Sequence, residues 1–249
     1  MSSIQFHWND PPDQCKLGVR DVHVWAADLC RTAEQIAAFE LTLASDERDR
    51  AARFAFARDR NRFVAGRGVL RAILGTYLKT QPARLRFAYG SRGKPVLADL
   101  PGDDDLHFNA AHSDDLLLIA VTRACAVGID VERIRPLEDA EELADRFFSP
   151  SEAAQLTMLP KDRRATAFFD LWTRKEACLK ATGQGITELL DQIEVSFLPQ
   201  DAARVIRISG DSHLAQEWTL QELLPANQFK AALAAAANNL QIISWRWLS

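Results

Sequence analysis

The sequence predicts a mixed α/β protein, α+β in organisation, built as two similar lobes in a pseudo-twofold arrangement. Three observations predict it. Ser45 leads into a long, arginine-bearing helical pattern, and Ser149 leads into a second long helical pattern later in the chain. Each long pattern is followed by short apolar runs bounded by turn residues, which read as strands. At 249 residues, with 47% hydrophobic and 26% charged side chains, the chain can bury ample core as one large domain or as two lobes. The expected division is residues 1–133, an N-terminal lobe that contains the basic stretch 46–94, and residues 134–249, which begin at Ile134-Arg135-Pro136.

The first lobe opens with a strand at 22–25 and a helix at 33–43. Ser45 is the expected N-cap of the next helix, because Asp46, Glu47 and Asp49 then lie in its first turn, where the macrodipole favours acids. That helix carries Arg48, Arg50, Arg53 and Arg58. A longer helix at 59–79 places Phe63, Leu70, Ile73, Leu74 and Tyr77 on a core stripe. Arg60, Arg62, Arg67 and Arg71 lie beside the stripe and read mostly as a solvated face. A strand at 85–89 precedes a turn, Gly90-Ser91-Arg92-Gly93-Lys94-Pro95, which fails the phosphate-loop pattern on spacing and on Pro95. Residues 116–122 and 127–132 read as a hairpin of core strands.

In the second lobe, Ser149-Pro150-Ser151-Glu152 is a capping box with proline at the first helical position. A long helix at 161–182 follows, stopped by Gly183 and Gly185. Strands are expected near 194–197, 204–208, 218–223, 229–235 and 242–247.

Composition excludes several classes. No apolar run approaches the ~20 residues that span a bilayer, and residues 1–12 lack the pattern of a secretory signal, so a cytoplasmic protein is expected. Cys15, Cys30, Cys125 and Cys178 show no close pairing, which argues against zinc and disulfide frameworks. A net charge of −4 argues against general nucleic-acid binding. Its distribution is uneven, however: residues 46–94 hold thirteen basic against four acidic side chains, and the remainder seventeen against thirty. That imbalance suits a polyanionic small ligand as well as a nucleic acid.

Ala126-Val127-Gly128-Ile129-Asp130-Val131-Glu132 reads as a strand on which Asp130 and Glu132 share one face. Paired carboxylates are held most readily around a cation, and a solvated edge strand is the plain alternative. In Leu171-Trp172-Thr173-Arg174-Lys175-Glu176-Ala177-Cys178-Leu179-Lys180, Glu176 and Lys180 lie one helical turn apart. Alone they would be a surface ion pair worth only ~0.3–0.5 kcal/mol.

Gly-Ile-Asp-Val-Glu followed by Trp-Thr-Arg-Lys-Glu-Ala-x-x-Lys-Ala resembles the Sfp-type 4'-phosphopantetheinyl transferases. Gly93-Lys94-Pro95, Phe108-Asn109-Ala110-Ala111-His112-Ser113 and Arg146-Phe147-Phe148-Ser149-Pro150-Ser151-Glu152 extend the resemblance from about Ser45 to about Ser196. It implies the transferase-like pseudo-twofold fold, with the active site in the cleft between lobes. The implied reaction moves 4'-phosphopantetheine from coenzyme A to a serine of an apo acyl, polyketide or peptidyl carrier protein and releases 3',5'-ADP. The implied cofactor is Mg²⁺, held by Asp130, Glu132 and Glu176. Lys180 would contact phosphate, and Glu176 or a neighbour acting through water would take the hydroxyl proton. Lys94 and Pro95 would meet the nucleotide end of coenzyme A, and His112 its 3'-phosphate. Three positions depart from the family pattern: Ala111 replaces a frequent serine, Glu47 replaces a lysine of some members and leaves Arg48 or Arg50 to act, and Phe63 replaces a phosphate-holding threonine. A monomer without nucleic-acid or membrane partners is expected. The rival readings are a Mg²⁺-dependent nuclease and a non-catalytic module that binds coenzyme A or a carrier. No G-x-S-x-G elbow is present, and His107 with His112 lacks a third metal ligand at a familiar spacing.

Overall fold

The computed structural model describes residues 8–12, 15–90, 93–98, 105–183 and 190–248. Within them one unit occurs twice. The first runs β1 (Asp21–Asp28), α1 (Ala33–Glu40), α2 (Ser45–Ala52), α3 (Ala57–Leu78), a 3-10 turn (Pro82–Arg84), the short strands β2 (Phe87–Tyr89) and β3 (Pro95–Leu97), then β4 (His107–Ser113) and β5 (Leu116–Thr122). The second runs β6 (Val127–Arg133), α4 (Ala140–Phe147), α5 (Pro150–Met158), α6 (Lys161–Thr182), a 3-10 turn (Leu190–Gln192), β7 (Ile193–Val195) and β8 (Val205–Ile208). After a short helix α7 (Ser212–Ala215) it closes with β9 (Thr219–Leu223) and β10 (Phe229–Ala235). A last strand, β11 (Gln241–Arg246), stands outside the repeat.

Pairing repeats as well. In the first unit β5 is central, antiparallel to both β1 and β4; in the second β10 is central, antiparallel to both β6 and β9. β11 returns to the first sheet, parallel to β1, giving the order β11-β1-β5-β4 beside β6-β10-β9. Alternation along each strand sorts side chains into three cores. Trp25, Leu117 and Ile119 face α1–α3; Val24, Leu118 and Ala120 meet Ile129, Val131 and Leu233 between the sheets; Ala232 and Ala234 face α6. The result is a helix, sheet, sheet, helix stack.

The two long helices are 22 residues each and end on left-handed caps, Lys79 and Gly183. Each carries a buried cation at the corresponding position. Arg71 pairs with Glu47 of α2 at 2.6 Å and donates to the carbonyls of Pro82 and Leu85. Lys175 pairs with Glu152 of α5 at 2.6 Å and donates to the carbonyls of Leu190 and Ile193. In both halves a buried ion pair fastens the short helix and the 3-10 turn to the long helix.

Several expectations are corrected. The strands 116–122 and 127–132 form no hairpin: β5 pairs with β4 and β1, and β6 with β10. The repeat therefore restarts at β6, and the sheets do not divide at residues 133/134, because β6 belongs to the second sheet and β11 to the first. The N-cap of α2 is Ala44 rather than Ser45, and Glu47 accepts from the Ala44 amide. Arg67 and Arg71 are buried rather than solvated, because Glu47 neutralises them. The capping box at Ser149 is present, with Glu152 and Ser149 each accepting from the other's amide. Gly185 and the centre of the Gly90–Pro95 turn lie outside the described residues.

Candidate active site

Asp130 and Glu132 face α6, and Gly128 lets that helix come close. A Cβ on Gly128 would stand 2.0 Å from the Ala177 carbonyl oxygen and 2.5 Å from the Ala181 amide nitrogen, so only glycine permits this approach. The contact brings Glu176 and Lys180 against the strand. Asp130 is 5% and Glu176 3% exposed. Lys180 Nζ lies 2.6 Å from Asp130 Oδ1 and not on Glu176, so the sequence pair at one-turn spacing is not a surface ion pair. Asp130 Oδ2 and Glu176 Oε1 are buried without a hydrogen-bond partner among the described residues.

Such orphaned oxygens carry a large penalty as anions. Burial pushes the Asp130 carboxyl up to about 6 against the pull of Lys180. Burial, followed by the charges of Asp130 and Glu132, pushes Glu176 up to about 7. Oxygen ligands of this kind, uncompensated and beside a third carboxylate, fit a hard divalent cation. The third acid has a partner of its own: Glu132 Oε2 accepts from Ser113 Oγ at 3.0 Å, and Ser113 in turn accepts from the Arg133 amide. Among the described residues no three His, Cys, Asp or Glu side chains are gathered tightly enough to enclose an ion. Glu176 feels the charges of Asp130 and Glu132, and Asp130 feels that of Glu132, so the three carboxylates share one neighbourhood.

Beside the acids lies a cavity of about 220 Å³ between α3, β4 and the Gly93–Pro95 segment, with Arg50, Arg62, Arg67 and His112 on its walls. It neighbours the acids, because the His112 ring feels the charges of Glu132 and of Lys180, the cation paired with Asp130. Partial burial and the nearby charges of Arg62 and Lys180 hold the His112 pKa below its usual value, so the ring is neutral near pH 7. Pro95 lines this cavity, while Lys94 lines a neighbouring one and donates to the carbonyl oxygens of Lys180, at 2.5 Å, and Val127. Lys94 therefore ties the turn to the C-terminal end of α6 and the start of β6. Arg48 donates to the Leu43 carbonyl and lines a recess with Glu40 and Arg60. Of the two arginines expected to replace a cation at Glu47, only Arg50 reaches the cavity with His112.

Sequence reasoning missed Arg62, Arg67 and Ser113. Arg67 carried a signal, since it follows Phe63 by one helical turn and precedes Leu70 on the apolar stripe. Ser113 carried none, because its role is set by β4 and β6 lying side by side.

Two family models together cover both halves of the chain. The 4'-phosphopantetheinyl transferase superfamily matches residues 126–234, and the N-terminal region of 4'-phosphopantetheinyl transferases matches residues 30–124. Their junction falls where the structural repeat restarts. HetI of Nostoc sp., a 4'-phosphopantetheinyl transferase, is 41% identical over 98% of this chain and 100% of its own length. This chain is a 4'-phosphopantetheinyl transferase. A second relative described by that activity, Sfp of Bacillus subtilis, is 31% identical over 78% of the chain and 82% of its own length. In this transferase the acids and the basic cavity meet at the junction of the two units. No helix among the described residues is long and apolar enough to cross a membrane.

Proposed function

We propose that the transferase moves 4'-phosphopantetheine from coenzyme A to a serine hydroxyl of an apo acyl, polyketide or peptidyl carrier protein, using Mg²⁺. The observation that carries this reading is the pair of buried, unpartnered oxygens, Asp130 Oδ2 and Glu176 Oε1, beside a cavity walled by cations. Asp130 and Glu176, with Glu132, would hold the ion, which when bound neutralises pyrophosphate charge. Arg50, His112 and the Pro95 segment seat the nucleotide end of coenzyme A. Lys180, on Asp130, stands where its ammonium can pass to a phosphate oxygen. The serine oxygen attacks the β-phosphorus, a new P–O bond forms, and the bond to 3',5'-ADP breaks. Glu176, or a neighbouring group acting through water, accepts the hydroxyl proton. On this reading the enzyme works in the cytoplasm as a monomer.

The test is incubation with coenzyme A, Mg²⁺ and several apo-carrier proteins, with mass spectrometry of the carriers. A phosphopantetheine increment that requires the metal is expected. Unmodified carriers throughout would overturn the reading.

A further inference from the structure

The cavity's cations are not equivalent. Arg62 is spent on Asp115, 2.7 Å away, and Arg67 on Glu47, at 3.4 Å, and on the Tyr89 hydroxyl, at 2.7 Å. Arg50 has no carboxylate partner among the described residues, and its guanidinium carbon sits 5.1 Å from the centre of the Phe63 ring. The Arg67 guanidinium lies 5.8 Å from the same ring, and Phe54 braces it from 5.4 Å. Phe63 therefore touches both the cation without a carboxylate partner and the neutralised one.

A guanidinium at the end of an exposed arginine samples many rotamers, and ordering it on a ligand costs entropy. An aromatic face attracts the cation without neutralising it, since the ring quadrupole holds the guanidinium but offers no competing anion. A carboxylate in that place would hold Arg50 more tightly and cancel the charge a phosphate needs.

We propose that Phe63 is a positioning residue of the donor pocket: its ring pre-orders Arg50 as the uncompensated cation that meets a terminal phosphomonoester of the ligand. The inference rests on the coenzyme A reading above and assigns a task to the position where the family pattern loses a hydroxyl. A hydroxyl would donate one hydrogen bond to the phosphate; the ring instead acts through Arg50.

Binding of coenzyme A and of its 3'-dephospho form is measured by calorimetry on the full chain, without a carrier protein. Arg50→Ala is expected to lose about ten- to a hundredfold in affinity for coenzyme A, the loss of one charge-assisted contact. Phe63→Leu, which keeps an apolar side chain but removes the ring, is expected to lose roughly two- to fivefold for coenzyme A and little for the dephospho form. In the Arg50→Ala background Phe63→Leu should then cost nothing further, and Phe63→Tyr should bind as wild type does. A Phe63→Leu loss that is equal for both ligands, or that persists in full without Arg50, makes the ring a packing group and overturns the proposal. Wild type that binds neither ligand overturns the coenzyme A reading as well, so the two failures are told apart.

Discussion

Asp130 and Glu176 make the metal-free protein sensitive to pH in a defined direction. Unfolded carboxyls titrate near pH 4, whereas in the fold these groups titrate at about 6 and about 7. The folded state binds their protons more tightly than the unfolded state does. The stability they contribute is therefore complete below pH 4 and is lost as pH rises through 6 and 7. Glu176→Gln keeps the shape of the protonated acid, so in metal-free buffer it should melt higher than wild type at pH 8, by on the order of 2 kcal/mol or several degrees. The gap should close toward pH 5, as differential scanning fluorimetry can read. Mg²⁺ should raise the melting point of wild type more at pH 8 than at pH 5.5 and leave Glu176→Gln almost unmoved. Asp130→Ala and Glu132→Ala should each lower turnover strongly while the far-ultraviolet circular dichroism stays native. Near-normal turnover in both would remove them from the site.

At the scale of elements, the contact between β6 and α6 sets the geometry of the acids. Gly128→Ala places a Cβ against the α6 backbone, which cannot move aside as a flexible side chain can. Overpacking of about 1–3 kcal/mol or more is expected, with turnover falling further than stability because Lys180 is drawn off Asp130. Denaturant melts and steady-state kinetics on one preparation would separate the two effects. The duplicated ion pair makes a second prediction. Lys175→Met strands Glu152 as a buried charge and should cost about 3–5 kcal/mol. Adding Glu152→Gln should recover part of that loss. A double variant as unstable as the sum of the singles would show that the two side chains do not act as a pair.

The molecule as a whole is bound together between its sheets. Val22, Val24 and Leu118 of the first unit share a core with Ile129, Val131 and Leu233 of the second, and β11 carries the end of the chain back across to β1. Neither unit can melt without exposing that shared layer. Calorimetry should give one transition for the full chain. Truncation after residue 238 removes β11 with Trp245, which packs edge-on to His23 at 5.9 Å and near Trp25. The truncated chain should melt several degrees lower, still in one transition. Separate melting of the two units would contradict the shared core.

Local rules carried much of this structure. The capping box at Ser149, the span of α6 and its stop at Gly183, and most second-half strands follow from side-chain chemistry within a few residues, which is why they are legible in the sequence. So is the pairing of Asp130 with Glu132, since alternation along a strand is geometric, and the ordered motifs were enough to indicate the family. What the sequence could not decide was which elements meet. Residues 116–122 and 127–132 are adjacent and apolar, yet β5 and β6 pair with other strands, because each completes a separate three-strand unit. Arg67 and Arg71 look like surface residues until α2 lays Glu47 over them, and a charge enters a core only when its counter-charge arrives from elsewhere in the chain. Arg50 and Arg48 differ by half a helical turn, and only the packing of α2 on α3 sends one to the cavity and the other to the Leu43 carbonyl. Chain-local physics determined most elements and put Asp130 and Glu132 on one strand face, and the family resemblance added Glu176. Long-range packing decided the layer order, the burial that raises the Asp130 and Glu176 pKa values, and which arginine of the cavity has no carboxylate partner among the described residues.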